Sequence, residues 1–164
     1  MIGSVTGASA ATVVLRLPPN AAHVRTARLV AAAMARRSGV EEALLDEVRL
    51  AVGEACARAV RLHERHGVEE PVTVEFVDRD RFAVAVIDRA PVQDTFASLT
   101  ATSGDGTDAD GPTDADTSTR APWTDPTGDA LGLALLDAVV QDLSVTEGDA
   151  GAGSRVSMSW PLGA

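Results

Sequence analysis

The stretch Asp46-Glu47-Val48-Arg49-Leu50-Ala51-Val52-Gly53-Glu54-Ala55-Cys56-Ala57-Arg58-Ala59 decides how the chain is read. Leu44, Val48, Ala51 or Val52, Ala55 and Ala59 recur on one face at helical spacing, which predicts an amphipathic helix. The pattern runs from Glu41 to about His63. Its acidic start suits the positive end of a helix dipole, and Gly67 can stop it. Glu54 and Arg58 stand four residues apart, so they share a face. By itself that spacing offers a helix salt bridge, worth roughly 0.2–0.5 kcal/mol at an exposed position.

Upstream, residues 11–17 (ATVVLRL) are β-branched and aliphatic and end at Pro18-Pro19, the pattern of a first strand. Asn20 reads as an N-cap for a helix from Ala21 to about Arg37, with Val24, Ala27, Ala31 and Met34 at helical spacing and Gly39 as terminator. Downstream, Val72 to Val77 and Phe82 to Ile87 form a hairpin around a short polar link. A third helix is predicted at about Ala130–Gln141, followed by a second hairpin from Leu143–Thr146 and Arg155–Trp160. This order predicts an α/β two-layer sandwich, with three main helices on one face of a mixed, mostly antiparallel sheet.

Residues 1–10 read as a flexible N-terminus and 11–164 as a single domain, in keeping with a length of 164 residues. Residues 99–128 differ from the rest: Thr, Ser, Gly, Asp and Pro dominate, and −5 of the total charge of −10 lies there. They read as a low-complexity acidic insertion. The Asp105-to-Asp110 spacing suggests a calcium loop, but position twelve is Asp116 rather than the bidentate Glu such a loop needs.

Aromatics are only 3% of the chain against 45% apolar residues, so the core must come from Ala, Val and Leu. All fourteen basic residues are Arg, and the acidic balance provides no clustered positive charge for nucleic acid. No apolar run of transmembrane length and no signal-peptide pattern occurs, so a cytoplasmic location is expected. Cys56 is the only cysteine and reads as a small buried hydrophobe. His63 and His66, near the end of the second helix, read as solvent-facing, and no metal site is expected.

Taken in order, several short elements resemble the ATP-binding Bergerat fold of the GHKL superfamily, shared by histidine kinases, gyrase and anti-sigma-factor serine kinases. Residues 46–59 look like its N box, in which a Glu presumed to act as general base is followed four residues later by a magnesium-ligating Asn. Glu54 matches and Arg58 does not. A guanidinium offers donors only, so Arg58 removes that metal ligand; contact with phosphate is the alternative the resemblance offers it. In Val86-Ile87-Asp88-Arg89-Ala90-Pro91, Asp88 takes the place of the adenine-binding Asp, but Ala90 and Pro91 replace glycines. Gly128-Asp129-Ala130-Leu131-Gly132-Leu133 looks like the second glycine box, where free amides at a helix start attract phosphate. Ser154 falls in the Gly-Thr-x-hydrophobic element that closes the pattern.

A lone domain without a phosphoacceptor His helix is closest to the anti-sigma branch. Asn20-Ala21-Ala22-His23-Val24-Arg25 is similar to that branch's first helix, and Arg25 is the candidate contact for an acidic partner surface. The resemblance implies an anti-sigma factor that sequesters a sigma factor, is countered by a STAS anti-anti-sigma protein, and forms a homodimer. ATP is the implied cofactor, with magnesium only if ATP binds, and Arg58 argues for weakened or lost kinase activity. The alternatives are an active protein-serine kinase acting on the STAS partner, with Glu54 as base, and a stand-alone ATP-binding accessory domain.

Overall fold

The computed structural model describes residues 11–91, 126–148 and 152–163. The expected flexible N-terminus and most of the expected acidic insertion, with its calcium-like spacing, lie outside the described residues. Strand β1 (Ala11–Leu17) leads through a 3-10 turn at Ala21–His23 into α1 (Val24–Ser38). A second 3-10 turn, Glu42–Leu44, opens α2 (Leu45–His66). Then come β2 (Val72–Asp78), β3 (Arg81–Ile87), α3 (Pro126–Val139), β4 (Asp142–Glu147) and β5 (Ser154–Pro161).

Local chemistry puts the helix ends within a few residues of those predicted: 3-10 turns take the place of the first residues expected in α1 and α2, and α2 runs to His66 rather than about His63. The Asn20 side chain accepts from the Ala22 N–H at 2.8 Å, and Gly39 and Gly67 close α1 and α2 with φ of 90° and 62°, conformations that suit glycine. The third helix, α3, begins early, at Pro126, four residues before the predicted start and inside the expected insertion. Proline is well placed in a first helical turn, where a backbone N–H has no partner to lose.

The strands form one five-stranded sheet in the order β1-β2-β3-β5-β4. All four described pairings are antiparallel, so the sheet is simpler than the mixed one expected, while the α/β sandwich is as predicted. Alternation sends Val72, Val74 and Phe76 of β2 and Val156, Met158 and Trp160 of β5 to the helix side. There they meet an Ala- and Val-rich surface: Ala27, Ala31 and Ala35 from α1, and Val48, Ala51, Val52, Ala55 and Ala59 from α2. Small side chains let the two helices pack closely on each other and on the sheet.

Three aromatic rings supply the bulk that alanines cannot. Phe76 stacks on Phe82 with centroids 6.4 Å apart, and Trp160 packs on Phe82 at a tilt, 6.2 Å away. The Trp160 indole N–H donates to Glu47 at 2.7 Å, tying the last strand to the first turns of α2. Among the described residues, no helix is long and apolar enough to cross a membrane.

One glycine fixes where β5 begins. Gly153 has φ of 77°, and a Cβ there would lie 1.8 Å from the Asp88 carbonyl oxygen. The two backbones can pass only because that position has no side chain. Gly153→Ala should therefore lower unfolding free energy by about 2 kcal/mol or more, read by denaturant titration; a stability within about 0.5 kcal/mol of wild type would contradict this close approach.

Candidate functional site

Among the described residues, the buried polar groups gather where α2, the end of β3 and the start of β5 meet. Arg58, Asp88 and Ser154 are all buried there, at 1%, 1% and 0% exposure. Asp88 Oδ1 accepts from the Ala90 and Ser154 backbone N–H groups at 3.0 and 3.2 Å, and Oδ2 accepts from the Ser154 hydroxyl. Arg58 Nη1 approaches Asp88 Oδ2 at 3.5 Å and Ser154 Oγ at 3.3 Å. A buried carboxylate needs this degree of compensation, because an uncompensated charge in the interior is strongly disfavoured.

Arg58 therefore takes a direction that its spacing to Glu54 did not suggest. It does not bridge to Glu54; it points inward, across to β3 and β5. The reason lies in the helical register: Ala51, Ala55, Arg58 and Leu62 share the inward face of α2, and all four are buried. Glu54 lies elsewhere on the helix, about one-quarter exposed, and pairs with Arg28 of α1 at 3.6 Å.

Arg28 was not anticipated. Its side chain crosses α2 over Gly53, where a Cβ would meet Arg28 Nε at 2.0 Å. An isolated glycine inside a helix is a signal of close approach, and Gly53 was the residue that carried it.

His63 was expected in solvent and is instead fully buried. It continues the face of Ala59 by one further turn. Its ring lies between two backbone groups: Nδ1 is 3.0 Å from the Glu70 carbonyl, and Nε2 is 2.8 Å from the Arg89 N–H. With Nδ1 donating and Nε2 accepting, the ring is neutral and joins α2 to the chain immediately after Asp88. Burial pushes its pKa down, outweighing the nearby Asp88 charge and the Glu70 carbonyl. Cys56 fits its expectation: it is buried, and burial pushes its thiol up to about 12, so it lacks the thiolate a reactive cysteine needs.

The expected phosphate-binding segment is arranged differently from its motif. Gly128, expected just ahead of the third helix, falls inside α3, and Leu131, Gly132 and Leu133 lie further along it. Residues 131–133 are beyond the first turn, where backbone N–H groups are used within the helix, while Gly128 remains in the first turn. Leu133 is buried in the core, and a Cβ on Gly132 would meet only ordinary contact, 3.8 Å from Arg61. Arg25 is exposed on α1, some distance in sequence from the buried cluster.

A family model for the histidine kinase-like ATPase domain matches residues 17–160, which span every helix and almost every strand described above. The chain belongs to this family. No curated protein matches the sequence. Histidine kinase-like ATPase domains in general bind ATP with magnesium. In this one the residue four after Glu54 is a donor-only cation, and its guanidinium is directed to the carboxylate of Asp88. The residues present do not fit a magnesium-bound nucleotide, since a second cation beside Arg58 would be repelled and would find no oxygen ligand from that position.

Neutral His63 makes a pH prediction. Because its folded pKa lies below the ordinary imidazole value of about 6.5, its contribution to stability is full above that value. It is lost as pH falls from there through the lower folded value. Denaturant titrations at pH 7.5 and 5.5 should show a larger acid loss in wild type than in His63→Gln; equal losses would contradict the assignment.

Proposed function

We propose that the protein is an anti-sigma regulatory factor that acts by holding its partner rather than by phosphorylating it. In this reading a sigma factor is sequestered on a surface that includes α1, and a STAS anti-anti-sigma protein competes for the chain. Family membership supplies the ATPase-like domain, and the anti-sigma role rests on the resemblance of the first helix and on the charge of that helix.

The observation that carries the reading is a charge reversal. The chain as a whole is −10, yet α1 contains Arg25, Arg28, Arg36 and Arg37 and no carboxylate. Arg28 is used by Glu54 and Arg36 by Glu42, at 2.7 Å in the second case. Arg25 makes no hydrogen bond or ion pair among the described residues, and Leu29, one turn on, is 60% exposed. An exposed arginine next to an exposed leucine on one helical face suits an acidic partner with an apolar anchor point.

The kinase alternative needs Glu54 as a base. Glu54 is instead paired with Arg28, and the position that would hold the metal is Arg58. Partner switching without phosphoryl transfer is therefore the better-supported mechanism.

Arg25→Glu should weaken capture of the sigma factor by tenfold or more, because it places like charges across the contact. Calorimetry with the sigma factor and, separately, the STAS protein checks this. Unchanged affinity would remove Arg25 from the interface, and radiolabel transferred from ATP to a STAS serine would reject the non-kinase reading.

A further inference from the structure

We infer that Arg58 is a built-in occupant of the family's nucleotide pocket, so that this domain is completed by its own side chain and does not take up adenine nucleotides. The inference concerns the pocket alone and holds whichever partner the protein regulates.

Counting the acceptor sites of Asp88 leads to it. A carboxylate is an acceptor-only group with about four lone-pair positions. Among the described residues, four donors converge on Asp88: the Ala90 N–H, the Ser154 N–H, the Ser154 hydroxyl and Arg58 Nη1. An exocyclic amine seeking this carboxylate would have to displace one of them. Three belong to the local path of the chain, two as backbone amides and one as the hydroxyl of Ser154, whose position is held by the Asp88 N–H donating to the Ser154 carbonyl at 3.0 Å. The fourth is Arg58, the one donor that comes from α2.

Displacing Arg58 is unfavourable for a second reason. Its side chain is enclosed, and moving it off Asp88 leaves a guanidinium and a carboxylate separated in a region that excludes water. A neutral base offers Asp88 a single ordinary hydrogen bond in exchange for a buried charge-assisted contact, which is the weaker partner. The surroundings reinforce the closure. Ala90, where the family has a glycine, is fully buried, so its methyl occupies space beside the same carboxylate. His63 holds the Arg89 N–H from the other side at 2.8 Å, which fixes the backbone between Asp88 and Ala90.

Arg58 on α2 thus takes over a structural role: it neutralises the buried Asp88 that the fold retains. The only ligand feature with a claim on Arg58 itself is phosphate, which makes the triphosphate, the diphosphate and the free nucleoside informative as separate probes.

Isothermal titration of the full chain with ATP, ADP and adenosine, each with and without magnesium, tests the inference, with Arg58→Asn measured beside wild type. The expected result is no saturable binding to wild type up to millimolar nucleotide and at least tenfold tighter, magnesium-dependent ATP binding to Arg58→Asn. Micromolar binding to wild type overturns it, as does a folded Arg58→Asn that remains silent. If that variant does not fold, the nitrogen-15 guanidinium resonances of Arg58 in wild type decide instead. They should be in slow exchange and unmoved by magnesium-ATP, and a saturable shift overturns the inference.

Discussion

The contact between Arg58 and Asp88 is the constraint on which the interior of this domain depends. It joins the middle of α2 to the end of β3, and through Ser154 it reaches the first residue of β5. Charges this deeply enclosed are tolerated only in pairs with further hydrogen bonds. The rest of the cluster supplies those bonds to Asp88. Gly153 brings the β5 backbone against Asp88, Ala90 turns its amide back to the same carboxylate, and His63 secures the intervening residue. Losing either charge would strand the other, so these residues form one unit.

The outer side of α2 shows a different use of charge. Arg28 lies over Gly53 and pairs with Glu54, joining α1 and α2 at the surface, where such a pair contributes little stability because solvent screens it. Its consequence is positional: Glu54 is held beside α1 by a cation. The remaining arginines give α1 a basic character against an acidic chain. The inner face of α2 thus holds a charge pair within an ATPase-like architecture, while its outer face is joined to α1 at the surface.

Much of the architecture was legible in the sequence because it rests on local signals. Periodicity marked α1 and α2, Asn20, Gly39 and Gly67 marked their ends, and alternating apolar residues marked both hairpins. The start of α3 was not legible, because Thr, Asp, Pro and Gly around Pro126 share the composition of a loop. At the site, Asp88 and Ser154 could be found from motif order, but the direction of Arg58 could not be found by assuming that charged residues face water. The signal was present: Arg58 continues the face of Ala51 and Ala55, and His63 that of Ala59. Their partners, Asp88 and the Arg89 N–H, lie 30 and 26 positions further along, and only the folded sheet brings them within reach.

A double-mutant cycle on stability addresses the central claim most directly, using Arg58→Met, Asp88→Asn and the combined variant in denaturant titrations. Each single change removes one charge from an enclosed pair, which costs roughly 3–5 kcal/mol in such settings. The account predicts that the combined variant loses less than the two single losses together, by a coupling of about 1.5 kcal/mol or more. Losses that add to within about 0.5 kcal/mol, as they do for independent sites, would show that Arg58 and Asp88 do not support each other and would contradict the account.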